Sequence, residues 1–240
     1  MIYVIGKNGF VAKRIKKYFK NKEKKLKFIG SNEIDLTKEK FKKKIIIKPR
    51  STIIFLSAIT PDKGKDLITF QKNISMIINF LSQIKTENIS KLIYVSSDAV
   101  YSLKDQKISD NTPTNPDDLY GLMHLTREQI IKKLIDKKKL VILRPTIMYG
   151  VGDTHGSYGP NRFINQLKQN QKVKLFGKGE DIRDHLFVQD FVKILYSICL
   201  KKKMYGEFIA ASQKSLKFID VAKKILSHYK KPQNLIEFIK

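Results

Sequence analysis

Only one cysteine, Cys199, occurs in the 240 residues, so no disulfide can form within the chain. Tryptophan is absent, and the four histidines lie far apart at positions 124, 155, 185 and 228. None joins Cys, His or carboxylates at metal-ligand spacing, so no metal site is expected. No apolar run approaches the roughly 20 residues of a membrane span. The longest, Ser51 to Ala58, is strand-sized. A predicted strand begins at Ile2, which leaves no room for a signal peptide and predicts a cytoplasmic protein. Arginine is also rare: six of the 48 basic residues, the rest being lysine.

The net charge is +26. A nucleic-acid footprint would be clustered and contain arginine. Here the lysines, among them Lys13, Lys16, Lys17 and Lys42 to Lys44, spread over predicted helix faces and loops. The charge therefore reads as a solvated basic surface whose field favours an anionic small substrate, with no nucleic-acid partner expected. A hydrophobic content of 42% against 29% charged residues suits a soluble globule.

Strand and helix patterns alternate along the chain. Strands are predicted at Ile2 to Ile5, Leu26 to Ile29, Thr52 to Ala58, Lys91 to Ser97 and Leu140 to Leu143. Helices are predicted near Phe10 to Phe19, Leu67 to Ile84 and Asp118 to Asp136. Thr37 is placed to cap a further helix over Lys40 to Lys48, which Pro49 would end. The pattern predicts a parallel sheet with helices on both faces, a Rossmann-type doubly wound α/β fold. From Tyr149 the texture changes to a Gly-rich loop, a helix, a short strand at Lys172 to Phe176, a strand at Phe208 to Ala211 and two further helices. The expected organisation is a dinucleotide-binding domain over 1–150. An abbreviated α/β substrate lobe follows over 151–240, interleaved with the core.

The first strand runs into Gly6-Lys-Asn-Gly9-Phe-Val-Ala12 and then a helix. Gly6 and Gly9 permit a tight turn and close approach of backbone to a pyrophosphate, and the helix N-terminus favours an anion. NAD or NADP binding is the expectation. NAD-specific chains place an acid at the end of the second strand to hold the ribose. This chain reads Ile29-Gly30-Ser31-Asn32, with Glu33 one step late and Lys7 in the phosphate loop, which leans toward tolerance of NADP.

Four later motifs carry a resemblance. They are Tyr94-Val-Ser-Ser97-Asp-Ala-Val-Tyr101, Tyr120-Gly-Leu-Met-His124, Arg144-Pro145 with Tyr149-Gly150, and Phe176-Gly-Lys-Gly-Glu-Asp-Ile-Arg183 continuing to Asp190. In order and spacing they resemble the extended short-chain dehydrogenase/reductase family, its nucleotide-sugar epimerases and dehydratases in particular. The resemblance implies an enzyme acting at C4 of a sugar nucleotide. Ser97 would hydrogen-bond the sugar and Tyr120 would shuttle its proton, with His124 in the place of the family lysine. It implies cofactor contacts from Gly6, Asn8, Gly9, Phe10, Val11, Asp35, Leu36, Leu56, Ser57, Ala58, Asn73, Tyr120, His124 and Pro145. It implies substrate contacts from Asp98, Asn161, Arg162 and Arg183, the last clamping the diphosphate. A homodimer through the Leu67 to Ile84 and Asp118 to Asp136 helices is also implied.

The departures narrow the expectation. The family lysine holds ribose hydroxyls and lowers the tyrosine pKa, and an imidazole does so only in part. His124 therefore leaves three readings: it takes over the lysine's work, the chemistry is slowed, or the chain binds NAD(P) without turnover. The run Met123 to Glu128 resembles a subgroup of bacterial epimerase-like proteins. Ala99 stands where dehydratases carry a Glu, which disfavours 4,6-dehydration. A 4-epimerase or a 4-keto-sugar reductase remains.

Overall fold

A computed structural model describes the chain except residues 21, 23–24, 39–43, 105–106, 154–158 and 240. In chain order the strands and helices are β1 (Ile2–Ile5), α1 (Phe10–Lys20), β2 (Leu26–Ile29), β3 (Ser51–Phe55), α2 (Leu67–Gln83), β4 (Ile89–Val95), α3 (Leu119–Leu134) and β5 (Leu140–Pro145). There follow β6 (Ile147–Tyr149), α4 (Asn161–Lys168), β7 (Val173–Phe176), β8 (Ile182–Phe187), α5 (Val188–Leu200), β9 (Gly206–Ala210), β10 (Ser215–Lys217), α6 (Phe218–His228) and β11 (Ile236–Ile239).

Two compact units form. The first holds residues 1–145 and 189–210, the second 146–188 and 211–240. The first contains a sheet in the order β2-β1-β3-β4-β5-β9, and every neighbouring pair in it is parallel. This is the Rossmann-type arrangement. Order reverses between β1 and β3, which places the ligand crevice of such a sheet at their carboxyl ends. Ile5, Ile29 and Phe55 lie level there.

Both faces of the sheet are buried, as the continuous apolar strands require. On one face Tyr3, Ile53, Phe55, Leu92, Tyr94 and Ile142 pack with Met76, Ile77 and Phe80 of α2 and Ile131 of α3. Ring contacts of Tyr18 and Phe19 with Tyr196 join α1 to α5. Lys91 of β4 is buried, and its ammonium donates to the carbonyls of Ile198 and Lys201 at the α5 C-terminus, where the helix dipole favours a cation.

The segment before β3 differs from expectation. Residues 39–43 lie outside the described residues, and 44–48 form no helix. Ile45 and Ile47 are buried while Lys44, Ile46 and Lys48 are exposed, an alternation of period two. The Ile45 N–H donates to Gln83 Oε1 and the Lys48 N–H to the Tyr3 hydroxyl. Side-chain acceptors on the core thus take the hydrogen bonds that a helix would have made internally.

The second unit has a three-stranded sheet, β10-β8-β6, and a two-stranded parallel pair, β11 with β7. Its core gathers Phe163, Leu167, Val173, Leu175, Val221, Ala222 and Leu226. The Asp184 carboxylate pins the 211–214 loop to β8, accepting from the Ser212 N–H and hydroxyl and from the Lys214 N–H.

One ion pair ties the first unit together. Arg144 of β5 grips Glu128 of α3 bidentately, through Nε to Oε1 at 3.0 Å and Nη2 to Oε2 at 2.6 Å. Both residues are buried. Arg144 also donates to the Tyr101 hydroxyl and to Glu207 of β9, and the Ser96 hydroxyl donates to Glu128. Arg144→Met would leave Glu128 charged and unpaired. The expected loss is about 3–5 kcal/mol of folding stability, read from urea unfolding. A loss under about 1 kcal/mol would show the pair to be dispensable.

Candidate active site

The turn between β1 and α1 requires glycine at one position. Gly6 has φ +108°, and a Cβ there would stand 3.0 Å from the Ser57 nitrogen. Gly9 is different: a Cβ would meet only the Gly6 carbonyl, at 3.6 Å. The loop thus lies tight against β3 at Gly6 and open at Gly9, with Asn8 exposed, Phe10 buried and Val11 half-buried. The first N–H groups of α1 have no helical carbonyl to pair with, as at any helix start.

A crevice at the switch point is lined by Gly6, Gly30, Ser31, Asp35, Leu36 and Ser57, among others. The Asp35 carboxylate accepts from the Thr37 hydroxyl at 2.7 Å, and this bond holds it below its ordinary pKa. Leu36 is buried, and its carbonyl accepts from Asn79. Lys7 pairs with Glu33 at 2.5 Å, and Glu33 also accepts from the Gly30 N–H. The late acid and the loop lysine therefore meet each other at the rim of the crevice. Leu56, Ser57 and Ala58 follow the end of β3 and are half-buried.

Ser97 follows β4 and opens a short turn, its Oγ accepting from the Ala99 N–H. Asp98 accepts a bond from that same hydroxyl at 3.3 Å. Asp118 caps α3 by accepting from the Gly121 N–H. The next contact fixes the two segments together. A Cβ on Gly121 would fall 2.0 Å from the Ala99 carbonyl oxygen, so only glycine fits. The first turn of α3, which bears Tyr120, is thereby seated on the turn that bears Ser97.

Tyr120 packs edge-on against His124, with ring centroids 4.7 Å apart. His124 is buried, and its Nδ1 lies 2.8 Å from the Tyr94 hydroxyl. Its Nε2 is buried with no hydrogen-bond partner among the described residues. Burial, and then the Arg127 charge, hold the imidazole well below its ordinary pKa, so it is neutral. Burial pushes the Tyr94 phenol up to about 12.

Arg127 is fully buried and donates to the carbonyls of Ser57 and Asn73. Asn73 lies in the second turn of α2. Its amide is spent on the backbone of Ile59, accepting at 2.8 Å and donating at 3.0 Å. Pro145 ends β5, buried and paired in register with Ala210.

Three candidate residues belong to the second unit. Asn161 begins α4 and donates to the Gly150 carbonyl and to Asp153. Arg162 lies against the rings of Phe163 and Phe176 and donates to the Lys174 carbonyl. Arg183 on β8 donates only to the carbonyl of its neighbour Ile182 and makes no ion pair among the described residues. Among those residues no cluster of His, Cys, Asp or Glu is arranged to hold a metal ion. None of their helices is long and apolar enough to cross a membrane.

The sequence profile of the NAD dependent epimerase/dehydratase family matches residues 2–208. The chain belongs to this family. Among curated relatives, it is 29% identical over 139 residues to an uncharacterised UDP-glucose epimerase of Bacillus subtilis, covering 57% of this chain and 44% of that protein. It is 28% identical over 228 residues to a dTDP-D-glucose 4,6-dehydratase of Dictyostelium discoideum, covering 86% and 51%. The chain thus spans about half the length of these relatives. Among solved structures, a UDP-N-acetylglucosamine 4-epimerase of Bacillus cereus superposes with a TM-score of 0.80 at 21% identity, over 100% of this chain and 84% of that one. A dTDP-4-dehydrorhamnose reductase of Bacillus anthracis, solved with NADP, gives 0.81 at 20% identity, over 100% and 83%. At that identity the likeness speaks for the epimerase/dehydratase fold.

Sequence reading passed over Arg127, Gly121 and the buried pair of Arg144 with Glu128. A signal was present for the first two. Gly121 directly follows the candidate tyrosine. Arg127 stands seven residues after it, on the same helical face.

The neutral state of His124 has a consequence for stability. The unfolded histidine titrates near ~6.5. Below that pH the unfolded chain takes up a proton that the folded chain refuses. The stabilising contribution is therefore full above about pH 6.5 and is lost as pH falls toward the depressed folded value. His185, also held down by burial, acts in the same window. His124→Gln is expected to flatten the fall in stability between about pH 6.5 and 5, measured by urea unfolding at stepped pH. An unchanged slope would place the proton uptake on another group.

Proposed function

We propose that this chain is an NAD(P)-dependent enzyme that inverts C4 of a sugar nucleotide, with reduction of a 4-keto sugar as the sister reaction. The observation that carries the reading is the seating of Gly121 on Ala99. It brings a hydroxyl-bearing turn and a phenol-bearing helix start together at the carboxyl end of a parallel sheet. The names of the relatives, which include an epimerase, a dehydratase and a reductase, support the substrate class.

The residues fit a dinucleotide. Gly6 admits no side chain, Gly9 leaves space beside it, and the α1 N-terminus suits a pyrophosphate. Gly6, Asn8, Gly9, Phe10 and Val11 would hold the phosphates, and Asp35 and Leu36 the adenine. Leu56, Ser57, Ala58, Asn73 and Pro145 would line the rest, with Tyr120 and His124 at the nicotinamide end. Hydride exchange with the sugar carbon is the chemistry that a nicotinamide held there would supply. Lys7 and Glu33 at the rim favour tolerance of both NAD and NADP.

Tyr120 takes the proton of the C4 hydroxyl as the C4 keto group forms and returns one to the C4 oxygen when that group is reduced. Inversion comes from hydride reaching the opposite face of C4. The Ser97 hydroxyl, turning its one proton from Asp98 to the same oxygen, fixes its direction, while the Ala99 N–H continues to hold its own oxygen. Ala99 offers no carboxyl where dehydratases carry a Glu, so dehydration lacks the second acid it would need beside Asp98 in this turn. Arg183, free of ion pairs with the described residues, grips the diphosphate with a planar fork, and Asn161 and Arg162 add polar contacts.

Tyr120→Phe is expected to cut turnover of UDP- or dTDP-hexoses by roughly 10²- to 10⁴-fold. NAD and NADP affinity by isothermal titration should stay as in the parent. An unchanged rate would remove Tyr120 from the mechanism, and absence of any dinucleotide binding would end the whole reading.

A homodimer through α2 and α3 is part of the proposal. Leu67, Ile68 and Ile78 of α2 and Leu122 and Leu134 of α3 are exposed apolar side chains. Light scattering should return twice the chain mass of 27.8 kDa. A monomer at assay concentration would refute it.

A further inference from the structure

Lysine supplies all but six of the basic residues of this chain. Two of the six arginines, Arg127 and Arg144, are buried in the first unit. Arg144 is neutralised by Glu128 and Glu207. Arg127 is not. Its donors go to the carbonyls of Ser57 and Asn73, to Asn73 Oδ1 and to the Met76 sulfur. Its guanidinium also lies 5.8 Å from the centre of the Phe55 ring. No carboxylate pairs with it among the described residues. Burying an unneutralised cation is costly, and an apolar side chain of similar volume often packs as well or better.

The position of that cation explains it. Tyr120, His124 and Arg127 are spaced i, i+4 and i+7 on α3 and share one face. The His124 ring stands against Tyr120 and is tied by Nδ1 to the Tyr94 hydroxyl. A neutral imidazole brings no charge to the phenol beside it. The guanidinium keeps its charge across the working pH range.

We propose that Arg127, and not His124, supplies the fixed positive charge that stabilises the Tyr120 phenolate, acting as a positioning residue past a neutral imidazole. This rests on the reading of Tyr120 as the proton-transfer group. Burial opposes the Arg127 charge, while the phenols of Tyr94 and Tyr120 favour it. Other charged groups among the described residues lie near Tyr120. Lys65, Asp66 and Asp118 line the same cleft as Tyr120. Asp66 and Asp118 are engaged as caps on Thr69 and Gly121. Asp98 accepts from Ser97, and Glu128 is held by Arg144. Lys65 is exposed, so solvent and salt screen it.

The test reads the titration of Tyr120 itself. Tyrosine labelled at the ring carbon bearing oxygen is followed by NMR against pH in the full chain, with and without NAD. Tyr120 is assigned by its absence in Tyr120→Phe. In the parent chain Tyr120 is expected to titrate at least about one pH unit below the ordinary ~10. Arg127→Met should raise it by about one unit or more, and Arg127→Lys should keep most of the depression. His124→Gln and Lys65→Met should leave it where it was. An ordinary value in the parent overturns the proposal. So does a depression that survives Arg127→Met or disappears in His124→Gln or Lys65→Met. Should Arg127→Met not fold, the parent and His124→Gln still decide. A dead Tyr120→Phe enzyme with an unshifted Tyr120 overturns the charge assignment alone. An active Tyr120→Phe enzyme with a shifted Tyr120 overturns the catalytic reading alone.

Discussion

A guanidinium and a carboxylate buried together between β5 and α3 set the frame for everything at the carboxyl end of the sheet. Arg144 and Glu128 have lost water, so each depends on the other for its charge. Through Ser96, Tyr101 and Glu207 the same pair reaches the end of β4, the turn that follows it and the outer strand β9. The helix bearing Tyr120 is thus fixed to the strand that delivers Ser97 by a clamp with definite geometry. Apolar packing alone is less directional. It would hold α3 on the sheet without fixing its register so closely.

The chain sorts its cations by environment. Lysines crowd the surface, where an ammonium is well hydrated and long side chains interact weakly with distant partners. The two arginines of the first unit's interior make the multiple donations that a planar fork allows. Lys91 is the exception that fits the rule, since a point charge suffices to cap the end of α5. The net charge of +26 therefore says little about the interior, where a few cations are placed one by one.

Much of the first unit was legible because its strands are buried on both faces and read as continuous apolar runs. Its long helices carry clear faces, and Gly6 marks a turn that tolerates no side chain. The second unit was less legible. The strands β6 and β10 have only three residues each, too few for a period to show, and β8 interrupts its pattern with Arg183 and Asp184. The segment at 44–48 misled for a different reason. Its lysines suit a helix, but the alternation of Ile45 and Ile47 buried against the core decides its extended path. At the candidate site, sequence located the glycine turn, the serine turn and the tyrosine helix. It did not show that Asn73 spends its amide on Ile59, because that depends on how the loop joining β3 to α2 folds back on the helix. Nor did it show that His124 is sealed from water, which is a property of its neighbours.

The backbone passes between the two units three times, after residues 145, 188 and 210. No single cut can therefore divide them. A chain severed after Pro145 would lack β9, and β5 would be left as an edge with a row of unpaired N–H and C=O groups. Modular exchange of the second unit, by recombination or by engineering, needs three junctions matched at once and must return β9 to its register on β5. Change in the second unit is accordingly channelled into loops and single side chains, while the sheet and its clamp stay as they are.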